Sequence, residues 1–245
     1  MSSVPDTEGS AYGRPPAQPN KLMTEVGPGT PCGEMFRRYW HPVCASTELT
    51  SVRPRELRIL GEDLILFRDG AGKPGLLYSR CMHRGTSLCY GKIEQNGIRC
   101  CYHGWLYDTE GHCLEQPLEP KDRVITIRQP WYPVVERYGL VFAYMGPPDK
   151  KPALPHYDIL ENPGPGQFYD TAFGSWGTTD DHSVPVMPFS WVNLSDNFMD
   201  PLHVYVLHSS FSGTQFDAEL AKIPTMEFIP TKHGILHSSR VRTDE

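Results

Sequence analysis

Short apolar runs separated by turn residues dominate the middle of the chain. The runs LRIL, LILF and LLYS, within residues 57–79, are separated by GED and by RDGAGKPG. Runs of this length between turn signals predict the strands of a meander. Asn96-Gly97 lies between two further short runs and predicts a two-residue hairpin. More short strands are expected from Val124 to Tyr144, so the pattern predicts one small all-β domain over residues 40–148.

The segments on either side of this domain have other patterns. Residues 1–21 are polar and rich in Pro, Gly and Ser, which predicts a disordered arm. Val26–Tyr39, VGPGTPCGEMFRRY, predicts a turn and a short helix, so the domain with this helix is expected to span 22–148. In 149–245 a helix is predicted near Asn193–His208, and the tail MEFIPTKHGILHSSRVR alternates like strands. Tyr157–Val184 has no periodicity that assigns it.

Composition excludes several classes of protein. The chain has 245 residues, enough for one large domain or two modest ones, and a net charge of −6 without any Lys/Arg run, so no nucleic-acid partner is expected. The start is not a signal peptide, and apolar stretches such as Gly139–Met145 are too short to span a bilayer, so we expect a cytoplasmic protein without a membrane partner. Seven cysteines, three of them close together, indicate metal rather than disulfides in such a chain.

Cysteine and histidine occur together twice, as C-x-H at Cys81 and His83 and as C-x-x-H at Cys100 and His103. A structural zinc finger usually pairs Cys with Cys and His with His, whereas each of these motifs mixes them. Two loops of this kind can hold a two-iron cluster, with both thiolates on one iron and both imidazoles on the other, which is the Rieske arrangement. The hairpin at Asn96-Gly97 would bring the second loop beside the first. The alternatives are a mixed-ligand zinc site and core residues without metal.

A second motif, NLSDNFMDPLHVYVLH, spans residues 193–208 and contains Asn197, Asp200, His203 and His208. Two histidines near a carboxylate are typical of non-haem Fe(II) oxygenases. On a regular helix His203 and His208 point roughly 140° apart, so they converge only if the helix is distorted or ends between them. Asp200 shares a face with His203 and suits a hydrogen-bonding carboxylate better than a third ligand. The alternative is that Asp200-Pro201 simply begins a helix whose histidines lie at an interface.

The two motifs together resemble the large (α) subunit of Rieske non-haem iron ring-hydroxylating oxygenases, on the phthalate-dioxygenase-like branch. The resemblance covers about residues 22–245 and rests on the segments VGPGTPCGEMFRRYW, RILGEDLILFRDG, CMHRGTSLCYG, CYHGWLYDTEGHCLEQP, LVFAYMGPP and DNFMDPLHVYVLH. It implies an α+β chain: an all-β Rieske [2Fe–2S] domain, followed over 149–245 by the incomplete first part of a helix-grip (START-like) catalytic domain.

The resemblance also implies the metal ligands and the oligomeric state. It assigns Cys81 and Cys100 to one cluster iron, His83 and His103 to the other, and His203 and His208 to a mononuclear Fe(II). Asp200 would bridge to His103 of the partner subunit and carry electrons across the interface. Such a bridge implies a ring-shaped homotrimer or a hexamer of two stacked trimers.

The remaining cysteines distinguish this sequence from the respiratory Rieske type, which carries two further cysteines that bridge its loops. The corresponding positions here are Thr86 and Tyr102. Cys89 and Cys101 are offset from them, so no disulfide and a lower cluster potential are expected. Cys89, Cys101 and Cys113 are expected to pack as small apolar residues.

In this family the third iron ligand is a carboxylate further downstream. The carboxylates that follow His208 include Asp217, Glu219 and Glu227, and none is at a matching position, which leads us to expect a truncated or split subunit. The resemblance implies an oxygenase component that takes electrons from an NAD(P)H-dependent flavin/iron–sulfur reductase and uses O2. The product would be a dihydroxylated, hydroxylated or O-demethylated aromatic compound. The alternatives are an electron-transfer Rieske ferredoxin, which has no need of D-x-x-H-x-x-x-x-H, and an inactive fragment.

Overall fold

The computed structural model describes residues 15–120, 122, 125–161, 163–171, 189–211, 222–232 and 234–242. The chain divides into two units, Met1–Val186 and Met187–Glu245, and each is described by itself. Residues 1–14 of the expected arm, residues 172–184 of the unassigned stretch, and the candidate carboxylates Asp217 and Glu219 lie outside the described residues.

Eleven strands among the described residues build the first unit, preceded by two short helices. The helices are α1 (Lys21–Thr24) and α2 (Pro31–Phe36). The strands are β1 (Trp40–Ala45), β2 (Arg55–Ile59), β3 (Glu62–Arg68), β4 (Pro74–Tyr78), β5 (Lys92–Glu94), β6 (Gly97–Arg99), β7 (Leu106–Tyr107), β8 (Cys113–Glu115), β9 (Trp131–Tyr132), β10 (Val134–Arg137) and β11 (Leu140–Tyr144). They form three antiparallel sheets in the orders β1-β11-β10, β2-β3-β4-β9 and β5-β6-β7-β8. The predicted all-β domain, its meander and its N-terminal helix are therefore confirmed.

The hairpin predicted at Asn96-Gly97 is present, but its turn is one residue earlier. Glu94 pairs with Gly97, so Gln95 and Asn96 form the turn and Gly97 begins β6. A Cβ atom on Gly97 would lie 1.9 Å from the carbonyl oxygen of Tyr107. The glycine is therefore required by the close approach of β7, which sequence inspection attributes to the turn instead.

The core of this unit lies on both sides of β3, whose residues Leu64 to Phe67 are all buried. Because side chains alternate along a strand, Leu64 and Leu66 join one apolar cluster and Ile65 and Phe67 join another. The second cluster also contains Cys81 and Cys100. Two candidate metal ligands are therefore part of the hydrophobic core rather than of the surface.

The second unit contains two helical segments and a hairpin in its described part. The segments are helix α3 (Trp191–Met199) and the π-helix Val204–Phe211, and the hairpin pairs β12 (Thr225–Thr231) with β13 (Gly234–Arg240). The alternating tail is thus confirmed, and the helical segment predicted near Asn193–His208 is present but interrupted at Asp200. The chain is extended at Asp200 because a proline follows it, which disfavours the helical conformation. Within the described ranges, no helix combines the length and the apolar character that crossing a bilayer requires.

Candidate metal centres

Two loops with the same backbone hydrogen bonds carry the paired cysteines and histidines. The first loop (residues 81–86) follows β4, and the second (residues 100–105) connects β6 to β7. In each loop the cysteine N–H donates to the carbonyl five residues on, at 2.9 Å from Cys81 and 2.8 Å from Cys100. In each, a glycine in the left-handed region, Gly85 or Gly104, donates back to that cysteine's carbonyl. The mixed motifs therefore form two equivalent loops.

The two loops bring like ligands together, although each sequence motif mixes them. Cys81 and Cys100 are both only 3% exposed and belong to the same buried apolar cluster. Burial raises the pKa of the Cys100 thiol, and the neighbouring Cys81 thiol raises it further. The rings of His83 and His103 lie 4.6 Å apart, centroid to centroid, and both residues are half-buried. The site therefore consists of a buried thiol pair and an imidazole pair nearer the surface.

Aromatic residues of the second loop and of β7 complete the site. The Trp105 ring stacks on His83 at 4.4 Å, with only 2° between the ring planes. Burial lowers the pKa of His83, which favours the neutral imidazole that ligates metals. The Tyr107 hydroxyl lies 3.3 Å from the sulfur of Cys81, and burial raises the pKa of this phenol. Neither aromatic residue was singled out from the sequence, where HGWLY shows only a strand pattern.

The donor set fits a two-iron cluster better than a single ion. Among the described residues, no group of three or more His, Cys, Asp or Glu side chains is placed to hold one metal ion. A zinc site needs four ligands around one point, whereas a Rieske cluster separates its thiolates from its imidazoles. In addition, the buried indole Nε1 of Trp105 has no hydrogen-bond partner in the described part of the chain. An unpaired buried N–H beside the ligands suits a bound group that provides acceptors.

The other five cysteines, Cys32, Cys44, Cys89, Cys101 and Cys113, are free thiols outside the Cys81–Cys100 pair. Cys89 is half-buried and accepts a hydrogen bond from the Ser87 hydroxyl at 3.1 Å. Cys113 packs against the apolar cluster that contains Cys81 and Cys100, as expected. Cys101 is exposed, so the prediction that it packs as an apolar residue is wrong: the loop turns its neighbour Cys100 inward and Cys101 outward.

The second motif brings its two histidines together through the π-helix. The rings of His203 and His208 lie 5.4 Å apart, at 62° to each other. A π-helix joins residues five apart by hydrogen bonds and therefore places them on one face, which a regular α-helix does not. The distortion that convergence requires is thus present. Glu227 lies on β12 with its carboxylate 4.0 Å from Arg240, and in the described residues no third His, Cys, Asp or Glu completes this pair.

Asp200 and Asn197 hold the His203 ring by its two nitrogens. Nδ1 contacts the backbone carbonyl oxygen of Asp200, which can only accept, so the proton belongs on Nδ1. Nε2 then carries the lone pair, and it lies 3.1 Å from the Asn197 side-chain nitrogen. The Asp200 carboxylate accepts from the Leu202 N–H at 2.9 Å, at the start of the helical segment that carries both histidines. Its other oxygen is 3.8 Å from Nδ1, so it lies beside the imidazole on the side away from Nε2.

A cavity of about 490 Å³ lies against this motif in the second unit. It is lined by Asp196, Asn197, Met199, Asp200, His203 and Leu207. His203 and its hydrogen-bond partner Asn197 thus both belong to the wall of this cavity.

Comparisons with known proteins agree with this geometry. The family model described as "Rieske [2Fe-2S] domain" matches residues 39–136. The chain is 54% identical to the phenoxybenzoate dioxygenase subunit alpha of Ectopseudomonas oleovorans, over 94% of this chain and 56% of that protein. It is 33% identical to the phthalate 4,5-dioxygenase oxygenase subunit of Pseudomonas putida, over 78% of this chain and 42% of that protein. The chain thus spans about half the length of these relatives.

A solved structure extends the likeness beyond the first unit. The NdmA QL mutant of Pseudomonas putida CBB5 with theobromine matches 80% of this chain and 56% of its own, with a TM-score of 0.59 and 26% identity. This supports the expected fold class, a Rieske domain followed by part of a catalytic domain. The cofactor of such a domain is a [2Fe–2S] cluster. The chain belongs to the Rieske non-haem iron oxygenases, on the branch that includes the oxygenase subunit of phthalate dioxygenase.

Proposed function

We propose that this chain acts in the oxygenase component of a Rieske system that hydroxylates or dihydroxylates an aromatic substrate with O2. The observation that carries the proposal is the presence of both donor sets in one chain. The first unit separates two thiols from two imidazoles, and the second converges His203 and His208 beside a cavity. The names of the relatives, phenoxybenzoate and phthalate dioxygenase subunits, support an aromatic substrate.

The ligand assignment follows from the donor chemistry. Cys81 and Cys100 hold one cluster iron, and His83 and His103 hold the other through their imidazoles. His203 and His208 hold a mononuclear iron, for which the third ligand is a group other than Asp200. When bound, the cluster supplies single electrons and the mononuclear iron supplies the activation of O2.

Neighbouring residues of the second unit orient the proposed iron ligand His203. The Asp200 carbonyl keeps the proton of His203 on Nδ1, so that Nε2 is free to ligate. In this proposal the Asp200 carboxylate stabilises the His203 ring and bridges toward His103 of the partner subunit in a homotrimer or hexamer, and its distance of 3.8 Å from Nδ1 supports the first of these roles. The Asn197 side-chain nitrogen, 3.1 Å from Nε2, borders the position that the ion would take.

The electron donor in this proposal is an NAD(P)H-dependent flavin/iron–sulfur reductase. The imidazole pair is the surface-facing end of the cluster site, which suits electron entry and exit, whereas the thiol pair is 3% exposed. The rival proposal of a Rieske ferredoxin accounts for the first unit only. It leaves the convergence of His203 and His208 without a purpose.

Iron content and matched variants test the proposal. We expect about three irons per chain in the iron-replete protein, of which the [2Fe–2S] cluster accounts for two. His203→Ala should lose the mononuclear iron and keep the cluster absorption, while His83→Ala should lose the mixed-ligand cluster signal. About two irons per chain, with no change in His203→Ala, would favour the ferredoxin.

A further inference from the structure

The side chain of Gln129 is fully buried against the first ligand loop. Its carbonyl oxygen accepts from the Met82 N–H at 2.9 Å. Its amide nitrogen donates to the carbonyl oxygens of Tyr78 and Arg80, each at 2.8 Å. A primary amide has two N–H donors and one carbonyl, so every donor and its oxygen are used. Gln129 is 0% exposed, so no water replaces these bonds if they are lost.

The hydrogen bond from Met82 is important because of where Met82 lies in the ligand loop. Met82 lies between Cys81 and His83, so the amide of Gln129 holds the peptide that separates a thiol ligand from an imidazole ligand. The other two bonds hold the end of β4 and the residue before Cys81. One side chain thus fixes the chain on both sides of Cys81.

Backbone contacts with Gly111 fix the position of Gln129 and therefore of its side chain. Its N–H donates to the carbonyl oxygen of Gly111 at 2.7 Å. Gly111 has a φ of +80°, and a Cβ atom there would lie 2.0 Å from the carbonyl oxygen of Gln129. Gly111 belongs to the turn that follows β7, the strand whose Tyr107 hydroxyl lies 3.3 Å from the Cys81 sulfur. Gln129 therefore connects the first ligand loop to the strand that leaves the second.

We propose that Gln129 is a positioning residue for the [2Fe–2S] cluster, which it serves by fixing the separation between the Cys81 thiol and the His83 imidazole. The inference rests on the ligand assignment proposed above. Residues that orient metal ligands influence metal retention and the electronic properties of the centre, so their loss is visible in more than stability.

A second glutamine provides a matched control. Gln116 also holds a backbone segment with its amide, donating to the Ile125 carbonyl oxygen at 2.6 Å and accepting from the Ile125 N–H at 3.0 Å. Neither bond involves a ligand loop. Gln116→Met and Gln129→Met therefore remove the same chemistry, with similar side-chain volume, at two distances from the cluster.

The test compares the holoprotein with Gln129→Met, Gln129→Glu and Gln116→Met by EPR of the reduced cluster, chelator resistance and thermal unfolding. We expect Gln129→Met to change the EPR g values and to weaken cluster retention about tenfold or more. Gln116→Met should lower only the unfolding temperature. Gln129→Glu keeps an acceptor for the Met82 N–H but loses both donors to the Tyr78 and Arg80 carbonyls, so its g values and cluster retention should change in the same direction as in Gln129→Met but less. It serves as the test if Gln129→Met does not fold.

Unchanged g values and cluster retention in a folded Gln129 variant would overturn the inference, as would equal spectral changes in Gln116→Met. The parent protein reports separately on the ligand assignment. If its reduced spectrum lacks a mixed Cys/His signal, the assignment fails and the inference fails with it.

Discussion

The rings of His203 and His208 lie 5.4 Å apart because a π-helix, not an α-helix, separates these two residues. The hydrogen bonds of a π-helix place residues five apart on one face. One extra residue between them would turn the second ring away from the first. We therefore expect insertion of one alanine between Val206 and Leu207 to release the mononuclear iron. Metal analysis would show the loss, and His208→Ala should reproduce it, while the cluster EPR signal stays unchanged. Iron retained in the insertion variant would contradict the account.

A second prediction concerns the phenol beside the buried thiols. The Tyr107 hydroxyl lies 3.3 Å from the Cys81 sulfur, and its raised pKa keeps it protonated as a donor. A hydrogen bond to a ligand sulfur stabilises the reduced, more negative cluster. A bond worth about 1 kcal/mol more in the reduced state corresponds to about 40 mV, so Tyr107→Phe should lower the midpoint potential by about that amount.

Tyr132→Phe is the control for this measurement. Tyr132 is half-buried and its hydroxyl is also hydrogen-bonded, but it donates to Glu62, at 2.8 Å. Its removal should reduce stability and leave the potential unchanged. Equal shifts in both variants, measured by redox titration followed by EPR, would remove the special role of the contact with Cys81.

Arg99 is expected to stabilise the second ligand loop. One guanidinium nitrogen donates to the Gly104 carbonyl oxygen at 2.6 Å, and the others pair with Glu94 and Glu115. A lysine cannot make these contacts together, because it lacks the planar fork of donors. We expect Arg99→Lys to reduce the free energy of unfolding by about 1 kcal/mol, a value lowered for the partial exposure of the pair. Chemical denaturation measures this loss.

The control for Arg99 is the exposed pair of Arg58 and Asp63, in which the nitrogen and oxygen lie 3.0 Å apart. Arg58→Lys should change the free energy of unfolding very little, because exposed ion pairs contribute little. A loss as large as that in Arg99→Lys would show that the contact with the loop carbonyl is unimportant.

The stability of the first unit should decline in acid through Glu136. The hydrogen bond and charge of Arg68 hold the pKa of Glu136 below its ordinary value, with N–O distances of 2.8 and 2.9 Å. A carboxyl whose pKa is lowered by folding stabilises the protein above its unfolded pKa, and this contribution is lost as the pH falls through the folded pKa. Thermal unfolding at pH 6 and at lower pH values should therefore show a smaller acid-induced decrease in Glu136→Gln. An identical decrease would assign the acid sensitivity to other groups.

Local patterns predicted much of this fold, and contacts between distant segments explain what they missed. The strands of the first unit follow from short apolar runs, since these runs alternate with turn residues. The sequence places Gly97 in the turn, because it does not show that a Cβ atom at this position would lie 1.9 Å from the Tyr107 carbonyl oxygen. In the same way, Cys101 was expected to be buried because nothing local distinguishes it from Cys100.

Among the site residues, too, local patterns identify some, and contacts between distant segments identify the others. Cys81, His83, Cys100 and His103 stand out by spacing, and the structure adds that their side chains separate into a thiol pair and an imidazole pair. Gln129 has no motif and lies 46 residues beyond His83 in the sequence. Its importance follows only from three hydrogen bonds to the chain around Cys81. The π-helix likewise depends on packing that a helical periodicity of about 3.6 residues does not reveal.

The central claim is that His83 and His103 both ligate one iron of the cluster while Cys81 and Cys100 ligate the other. Electron–nuclear double resonance of the reduced protein, labelled with ¹⁵N-histidine, tests it most directly. The account predicts two histidine nitrogens coupled to the cluster in the parent protein, and loss or alteration of this pattern in either His83→Ala or His103→Ala. A cluster without histidine nitrogen coupling, or a chain that holds zinc instead of iron after iron-replete expression, would contradict it.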